Sequence, residues 1–178
     1  MATLKVPVNA SDHVLGDADA PVTLVEYGDY QCPHCAAAHP VVAQVRQHFA
    51  KQLLFVYRHF PLTEIHPMAM SAAESAEFAG AHGRFWQMHD GLFENQDRLG
   101  LPLYLALAEA LKLSVTSLQA ALASGEHMRK IQADFMGGVR SGVNGTPAFF
   151  INGQRHDAPY DFPYLVQAIE TRLALDGG

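Results

Sequence analysis

Two cysteines stand three positions apart in the stretch VEYGDYQCPHCAAAHP, and the sequence contains no others. Thiols at this spacing can staple a short loop, supply part of a zinc site or form a reversible disulfide. A staple over so short a loop restrains the unfolded chain little. A structural zinc site needs four ligands. No second CxxC follows, and the ten histidines show no paired spacing, although the fold could gather two. The pattern favours a redox dithiol, Cys32 and Cys35, without a metal.

The residues around the pair predict different roles for its two sulfurs. The run VTLVEY, residues 22–27, is typical of a buried strand. A helix should begin near Pro33, because proline suits the first helical turn. Cys32 would then stand at the helix N-terminus, where unpaired N–H groups favour a thiolate. Cys35 would lie one turn further in, within disulfide reach but more covered.

Pro33 and His34 are expected to tune the dithiol, because they lie between the two sulfurs. A histidine beside a thiolate lowers the thiol pKa by hydrogen bonding or by positive charge. One pKa unit corresponds to about 1.4 kcal/mol, or about 30 mV for a two-electron couple. The alternative for His34 is a solvated surface side chain without a role.

Glu26 is the one charged residue in the predicted strand. Burial of a carboxylate is costly, so its pKa should rise, and the group could exchange protons with Cys35. Two alternatives stay open at this point. The strand could turn Glu26 toward solvent, or the carboxylate could pair with a base such as Arg58.

Composition limits the classes of protein to which the chain can belong. Its 178 residues are 49% hydrophobic and 17% charged, which fits one domain or one domain with an insertion. The net charge of −6 without a basic block argues against nucleic acid, and no apolar run is long enough for membrane insertion. The first residues lack a leader pattern. We therefore expect a cytoplasmic protein, with the periplasm as the alternative if a leader has been removed.

The rest of the sequence predicts further strands around a helical region. Residues 52–60 and 147–151 are typical of strands, and Asn152-Gly153 predicts a hairpin into a short strand at 154–156. A last helix is predicted over 162–175. Between the strands of residues 52–60 and 147–151, apolar stripes and a Ser114 cap predict five helices. We expect these stripes to serve packing rather than cofactor binding. Four helices are predicted from stripes: Ala69, Ala72, Ala73 and Ala76; Phe85, Met88 and Leu92; Leu103, Leu107, Ala110 and Leu111; and Met128, Ile131, Phe135 and Val139. The remaining helix is predicted from its cap and runs from Ser114 to Gly125.

The Cys-Pro-His-Cys box, Glu26 and the segment GVNGTPAFFING together resemble the DsbA-like thiol:disulfide oxidoreductases of the thioredoxin superfamily. The segments DAPVTLVEYGDYQCPHC, FVYRHFPLTEIHP and SGVNGTPAFFING are similar to the bacterial branch with a helical insertion. The likeness runs from about residue 11 to 172. It implies an α/β thioredoxin fold, with residues 1–62 and 143–178 forming the thioredoxin-like domain and residues 63–142 an inserted helical subdomain.

The resemblance also implies how the site works. From the residues alone, Thr146-Pro147 could be an ordinary trans turn; the resemblance implies a cis bond facing the cysteines, with the Thr146 backbone open to an extended peptide. Substrates would be protein or peptide thiols and disulfides, with an unidentified redox recycling partner. The Cys32–Cys35 disulfide would be the redox group, without a separate cofactor. The box favours the oxidising direction, whereas a reducing cytosol opposes it.

A second class of function stays open at this stage. The chain could be a zinc-binding or thiol-dependent peptide-binding module without catalytic turnover.

Overall fold

A computed structural model describes residues 2–176, which form a five-stranded mixed sheet and seven α-helices. In chain order the elements are β1 (His13–Gly16), β2 (Val22–Gly28), α1 (Pro33–Phe49), β3 (Leu53–His59), α2 (Ala69–Ala81), α3 (Phe85–Glu94), α4 (Leu101–Ala110), α5 (Val115–Ser124), α6 (Met128–Arg140), β4 (Ala148–Ile151), β5 (Gln154–Arg155) and α7 (Phe162–Asp176). Short 3-10 turns follow α1 and α3.

The strand that precedes the cysteines lies at the centre of the sheet. The strand order is β1-β3-β2-β4-β5, with β2 parallel to β3 and antiparallel to β4. Glu26 therefore stands between Tyr57 on one side and Phe149 on the other. The predicted strand over 22–27 is confirmed and extends by one residue to Gly28.

Both faces of the sheet are covered. Leu24 and Phe55 pack in a cluster with α1, α7 and most helices of the insertion. Val25 and Val56 pack on the opposite face, in a cluster that Phe135 of α6 joins. Because successive side chains of a strand alternate between faces, Glu26 shares the face of Leu24. Its carboxyl group is thus directed under α1, the helix that carries Cys35.

Turn and cap chemistry places several predicted boundaries correctly. Asn152 and Gly153 both have positive φ, 47° and 82°, as a tight two-residue hairpin between β4 and β5 requires. The Ser114 hydroxyl accepts a hydrogen bond from the backbone N–H of Ser117 and caps α5. Gly125 ends that helix in the left-handed conformation. These local signals were sufficient because each uses only neighbouring residues.

The predicted buried stripe of α6 was partly wrong. Ile131 is buried, but Val139 is 46% exposed, and the buried face contains Asp134, Gly137 and Gly138. The two glycines allow this helix to approach the sheet closely. A side chain at Gly138 would stand 2.7 Å from the ring of Phe60. The absence of a side chain at Gly137 and Gly138 therefore decides which face of α6 packs against the sheet.

Two other features differ from the sequence predictions. Ala110, assigned to the stripe of α4, is exposed, and Tyr104 and Ala108 are buried instead. The edge strand β1 was not predicted, because four residues show too little alternation.

Helices α2 to α6 all fall within residues 63–142, and the exact domain boundaries stay a prediction. None of the helices within residues 2–176 has the length and apolarity needed to cross a membrane.

Gly138→Ala should destabilise the protein despite the better helix propensity of alanine. The new methyl group would meet the Phe60 ring at 2.7 and 2.8 Å, and overpacking of this kind costs about 1–3 kcal/mol. Gly91→Ala is the matched control, since its methyl group would meet only the movable end of Leu107. Urea denaturation should show the larger loss for Gly138→Ala. Equal losses in the two variants would contradict close packing of α6.

Candidate active site

Cys32 and Cys35 occupy the first turn of α1, where the chain leaves the central strand. Cys32 is the N-cap residue, and Pro33 begins the helix. Both cysteines are free thiols, they approach each other to 3.7 Å, and Cys32 is 5% exposed whereas Cys35 is fully buried. Cys32 is therefore the more accessible residue of the pair.

The surroundings of Cys32 stabilise its thiolate. A hydrogen bond from the Cys35 thiol is the largest influence, and it lowers the pKa of Cys32. Burial opposes it, but Thr146 and the backbone N–H groups of Cys35 and His34 act in the same direction as the Cys35 thiol, so the pKa falls to about 5. These amides belong to the first turn of α1, at the positive end of the helix dipole, and the Cys35 N–H also donates to the carbonyl oxygen of Cys32 at 3.1 Å. The His34 side chain itself is exposed.

Cys35 is held in the opposite state. Burial raises its pKa well above that of an ordinary thiol, and its hydrogen bond to Cys32 and the charge of Glu26 act in the same direction. One sulfur is thus an anion near neutral pH while the other keeps its proton. Such a pair combines a nucleophilic thiolate, Cys32, with a protonated thiol, Cys35, that can react in a later step.

Glu26 is 3% exposed, so its carboxyl group is buried under α1 as the strand pattern required. Burial, reinforced by the negative charge of Cys32, raises its pKa to about 8. The group lines a cavity of about 180 Å³ together with His39, Trp86 and His89. A carboxyl group with this pKa holds a proton at neutral pH and can release it.

Arg58, the alternative partner for Glu26, is engaged elsewhere. Its guanidinium donates two hydrogen bonds of 2.9 Å to the carboxylate of Asp12 and one of 2.9 Å to Tyr27 Oη. Arg58 pairs with Tyr27 in the sheet, one position beyond Glu26. It therefore points to the opposite face, and the proposed pairing with Glu26 does not occur.

Thr146 and Pro147 face the cysteines, and the peptide bond between them is cis. Sγ of Cys32 lies 3.6 Å from the backbone carbonyl oxygen of Thr146, to which it donates a hydrogen bond when it carries its proton. The Thr146 hydroxyl is buried and has no hydrogen-bond partner within residues 2–176. It also lowers the pKa of Cys32, as expected for a hydroxyl that can donate to the thiolate.

Asp29, which the sequence reasoning did not single out, fixes the loop before Cys32. One carboxylate oxygen accepts the backbone N–H of Gln31 at 2.8 Å. The other accepts the N–H of Leu62 at 2.9 Å and lies 2.7 Å from Nδ1 of His66. The first contact is a local turn that an aspartate after a strand suggests. The others join the cysteine loop to the start of the insertion.

Gln96 holds the same loop from the far side of the insertion, after α3. Its Nε2 donates hydrogen bonds to the carbonyl oxygens of Tyr30 at 2.8 Å and Cys32 at 2.9 Å. No pattern in the sequence marks this glutamine, since the contact joins residues more than sixty positions apart. The insertion therefore helps to position the nucleophile.

Sequence comparisons relate the chain to a family model and to segments of longer proteins. A family model described as Thioredoxin matches residues 8–171. The Na⁺/H⁺ antiporter NhaA 1 of Salinispora arenicola is 43% identical over 172 residues, which cover 96% of this chain and 26% of the antiporter. NhaA 1 of Mycobacterium sp. (strain KMS) is 39% identical, with 94% and 28% covered. The chain thus spans about a quarter of the length of these curated relatives.

Solved structures share the fold over nearly the whole chain. Oxidised BdbD from Bacillus subtilis has a TM-score of 0.88 and 24% identity, with 97% of this chain and 98% of BdbD covered. For α-DsbA1 from Wolbachia pipientis the TM-score is 0.84 and the identity 22%, with 97% and 96% covered. The predicted thioredoxin fold with a helical insertion is confirmed.

Alkylation of the reduced protein should report a Cys32 pKa of about 5, well below that of a free cysteine. The lowered pKa means that thiolate and reactivity are present above pH 5 and are lost as the pH falls through that value. Thr146→Val should raise this pKa by about one unit, because it removes a hydroxyl that can donate to the anion.

Thr171→Val is the control for this titration, since it removes an exposed hydroxyl from α7. The rate of reaction with iodoacetamide, measured between pH 3 and 9, gives the Cys32 pKa of wild-type protein, Thr146→Val and Thr171→Val. The account of Cys32 is wrong if wild-type protein titrates near pH 8.5. The role of the hydroxyl is wrong if the two valine variants titrate together.

Proposed function

This chain belongs to the thioredoxin family, and from that premise we propose that it is a thiol:disulfide oxidoreductase acting on protein or peptide thiols. The observation that carries the proposal is the unequal pair of sulfurs. Cys32 stands at the start of a helix with its pKa lowered to about 5, and Cys35, whose pKa burial raises, lies 3.7 Å from it. The pair itself serves as the redox group.

In the oxidising direction the disulfide form of the protein accepts two electrons. A substrate thiolate attacks Sγ of Cys32, the Cys32–Cys35 bond breaks, and Cys35 leaves with the electron pair and takes up a proton. A second substrate thiolate then attacks the substrate sulfur of the mixed disulfide. Cys32 leaves as the stabilised thiolate, and the substrate is left with a disulfide. In the reducing direction Cys32 attacks and Cys35 resolves.

We propose the oxidising direction, on the strength of the lowered Cys32 pKa. Stabilisation of the thiolate belongs to the dithiol form alone, so it makes the disulfide form a stronger electron acceptor. The backbone N–H groups of His34 and Cys35 supply part of this stabilisation. The imidazole of His34 is exposed, and we propose that it tunes the pair as a hydrogen-bond donor beside Cys32.

Glu26 is proposed as the proton carrier for Cys35. At neutral pH its raised pKa of about 8 keeps the carboxyl group protonated, so it can give a proton to the departing Cys35 sulfur. In the reverse step the carboxylate takes the proton from the attacking thiol. The cavity that Glu26 lines gives water a route by which the proton that Glu26 has given or taken is exchanged with solvent.

We propose that the substrate is an extended segment that pairs with the backbone of Thr146. The carbonyl oxygen of this residue lies 3.6 Å from Sγ of Cys32, so a peptide hydrogen-bonded to the neighbouring backbone would bring its own cysteine to Cys32. Backbone pairing does not depend on the substrate sequence. This favours a range of protein thiols over one small molecule.

Compartment and recycling follow from the direction. An oxidising dithiol needs a partner that restores its disulfide, and a reducing cytosol would hold it in the dithiol form. We therefore link the oxidising role to the periplasm, and the cytoplasmic alternative to the reducing role. The redox state of the pair in cells, read by trapping free thiols, separates them.

A thiolate metal module is less well supported. Among residues 2–176, the groups of side chains arranged to hold a metal ion do not include either cysteine. The antiporter names belong to proteins of which this chain matches about a quarter, and we do not extend ion transport to it.

Single serine substitutions should separate the roles of the two sulfurs. Cys32→Ser should abolish the reaction of the reduced protein with a disulfide-bonded peptide, because it removes the nucleophilic sulfur. Cys35→Ser should accumulate a mixed disulfide through Cys32, since the resolving thiol is gone. Mass spectrometry of the quenched reaction detects the adduct, with Cys32→Ser/Cys35→Ser as the blank. Equal amounts of adduct in the two single variants would refute the proposal.

Glu26→Gln should slow exchange by about 100-fold or more at neutral pH, because Cys35 loses its proton carrier. The wild-type rate should change between pH 7 and 9, around the Glu26 pKa of about 8, and the variant should lack that change. Its reduction potential at pH 7 should stay near the wild-type value, since Gln replaces a carboxyl group that is neutral there. If the reduction potential shifts together with the rate, Glu26 acts only through its electrostatic effect on the pair and not as a proton carrier.

A further inference from the structure

Two histidines and a glutamate from three separate elements meet outside the cysteine pair. Nε2 of His13, on the edge strand β1, lies 2.6 Å from Oε2 of Glu77 in α2. Nε2 of His59, at the end of β3, lies 2.8 Å from the same oxygen. All three atoms lie within 4.8 Å of one another. The fold thus gathers two of the histidines that are scattered in the sequence.

The three side chains are held in place by their surroundings. His59 is 1% exposed and Glu77 7% exposed. The ring of His13 stacks on Phe85 with centroids 3.6 Å apart and an interplanar angle of 4°. Oε2 of Glu77 lies within hydrogen-bond distance of Nε2 of both histidines, which fixes the carboxylate between the two rings. The site presents two imidazoles and one carboxylate in fixed orientations.

We propose that His13, His59 and Glu77 form a binding site for a first-row divalent transition metal, with Zn²⁺ the expected ion. Two imidazole nitrogens and a carboxylate oxygen are a ligand set that zinc accepts with a fourth position open. The side chain of His13 is 18% exposed, so water can reach that position. With metal–ligand distances of about 2.0–2.1 Å and tetrahedral angles, ligand atoms stand roughly 3.3–3.4 Å apart, so the two N···O separations must lengthen by roughly 0.5–0.8 Å.

The second nitrogen of His59 sets the expected strength of binding. A metal on Nε2 moves the ring proton to Nδ1, and His59 Nδ1 is buried with no hydrogen-bond partner among the residues described. A partner at that position is typically worth about 10- to 100-fold in affinity. We therefore expect zinc to bind here more weakly than at a site whose histidines are both supported.

A second group, His39, His89 and Asp90, is a less suitable ligand set and supplies a control. Nδ1 of His89 lies 2.8 Å from the hydroxyl of Tyr30, and the side chain of Asp90 is 54% exposed. His39 also belongs to this group alone. Its removal leaves the His13 site unchanged.

Calorimetric titration of zinc chloride into the oxidised protein tests the proposal. The Cys32–Cys35 disulfide keeps both thiolates from binding the metal, so neither the result nor the site depends on thiol exchange. We expect one zinc ion per chain. His13→Phe, which retains an aromatic ring over Phe85, and Glu77→Gln, which retains the shape, should each weaken binding by at least about 10-fold. His39→Ala should bind like wild type.

Three results would overturn the site: no saturable binding by wild-type protein, unchanged binding in both His13→Phe and Glu77→Gln, or a loss confined to His39→Ala. Circular dichroism confirms that each variant is folded. Should Glu77→Gln not fold, His13→Phe alone decides, because it alters a partly exposed residue of an edge strand. Zinc should also raise the unfolding temperature of wild-type protein and not that of His13→Phe, since the ion joins three elements of the native state.

Discussion

Negative charge on one sulfur at the first turn of α1 is the constraint on which the site depends. Burial alone would keep Cys32 protonated, so the donors around it must outweigh the lost hydration. Those donors are backbone N–H groups at a helix start, the Cys35 thiol and Thr146. None carries a full positive charge, so stabilisation of the anion depends on their positions. Anything that moves the start of α1 changes the chemistry.

The helical insertion is therefore part of the site as well as a cover for the sheet. Gln96 binds the carbonyl oxygens of Tyr30 and Cys32, and Asp29 joins the same loop to Leu62 and His66. The loop before α1 is held at both ends of the α2–α3 region. A bare strand-to-helix turn has local donors but lacks these distant supports. The insertion thus restricts the freedom of the nucleophile.

The sequence predicted the parts of this arrangement that use local signals. The apolar run of β2, Pro33 at the helix start and the Asn152-Gly153 hairpin each involve neighbouring residues, and each is confirmed. The sequence did not predict contacts that depend on packing between distant elements. Gln96 carries no local mark, and the face that α6 buries depends on how closely its glycines approach Phe60. Such choices are made by tertiary contacts, which periodicity does not encode.

The fate of Arg58 shows how register governs the chemistry of Glu26. The two residues lie on neighbouring strands, and an arginine facing Glu26 would lower its pKa and remove its proton at neutral pH. Glu26 instead pairs with Tyr57, and the two-residue period of the strand sends Arg58 to the other face, where Asp12 binds it. The positive charge is neutralised there, away from the cysteines. A shift of one residue between β2 and β3 would reverse this arrangement while keeping every amino acid. The proton-holding state of Glu26 thus follows from the pairing of two strands.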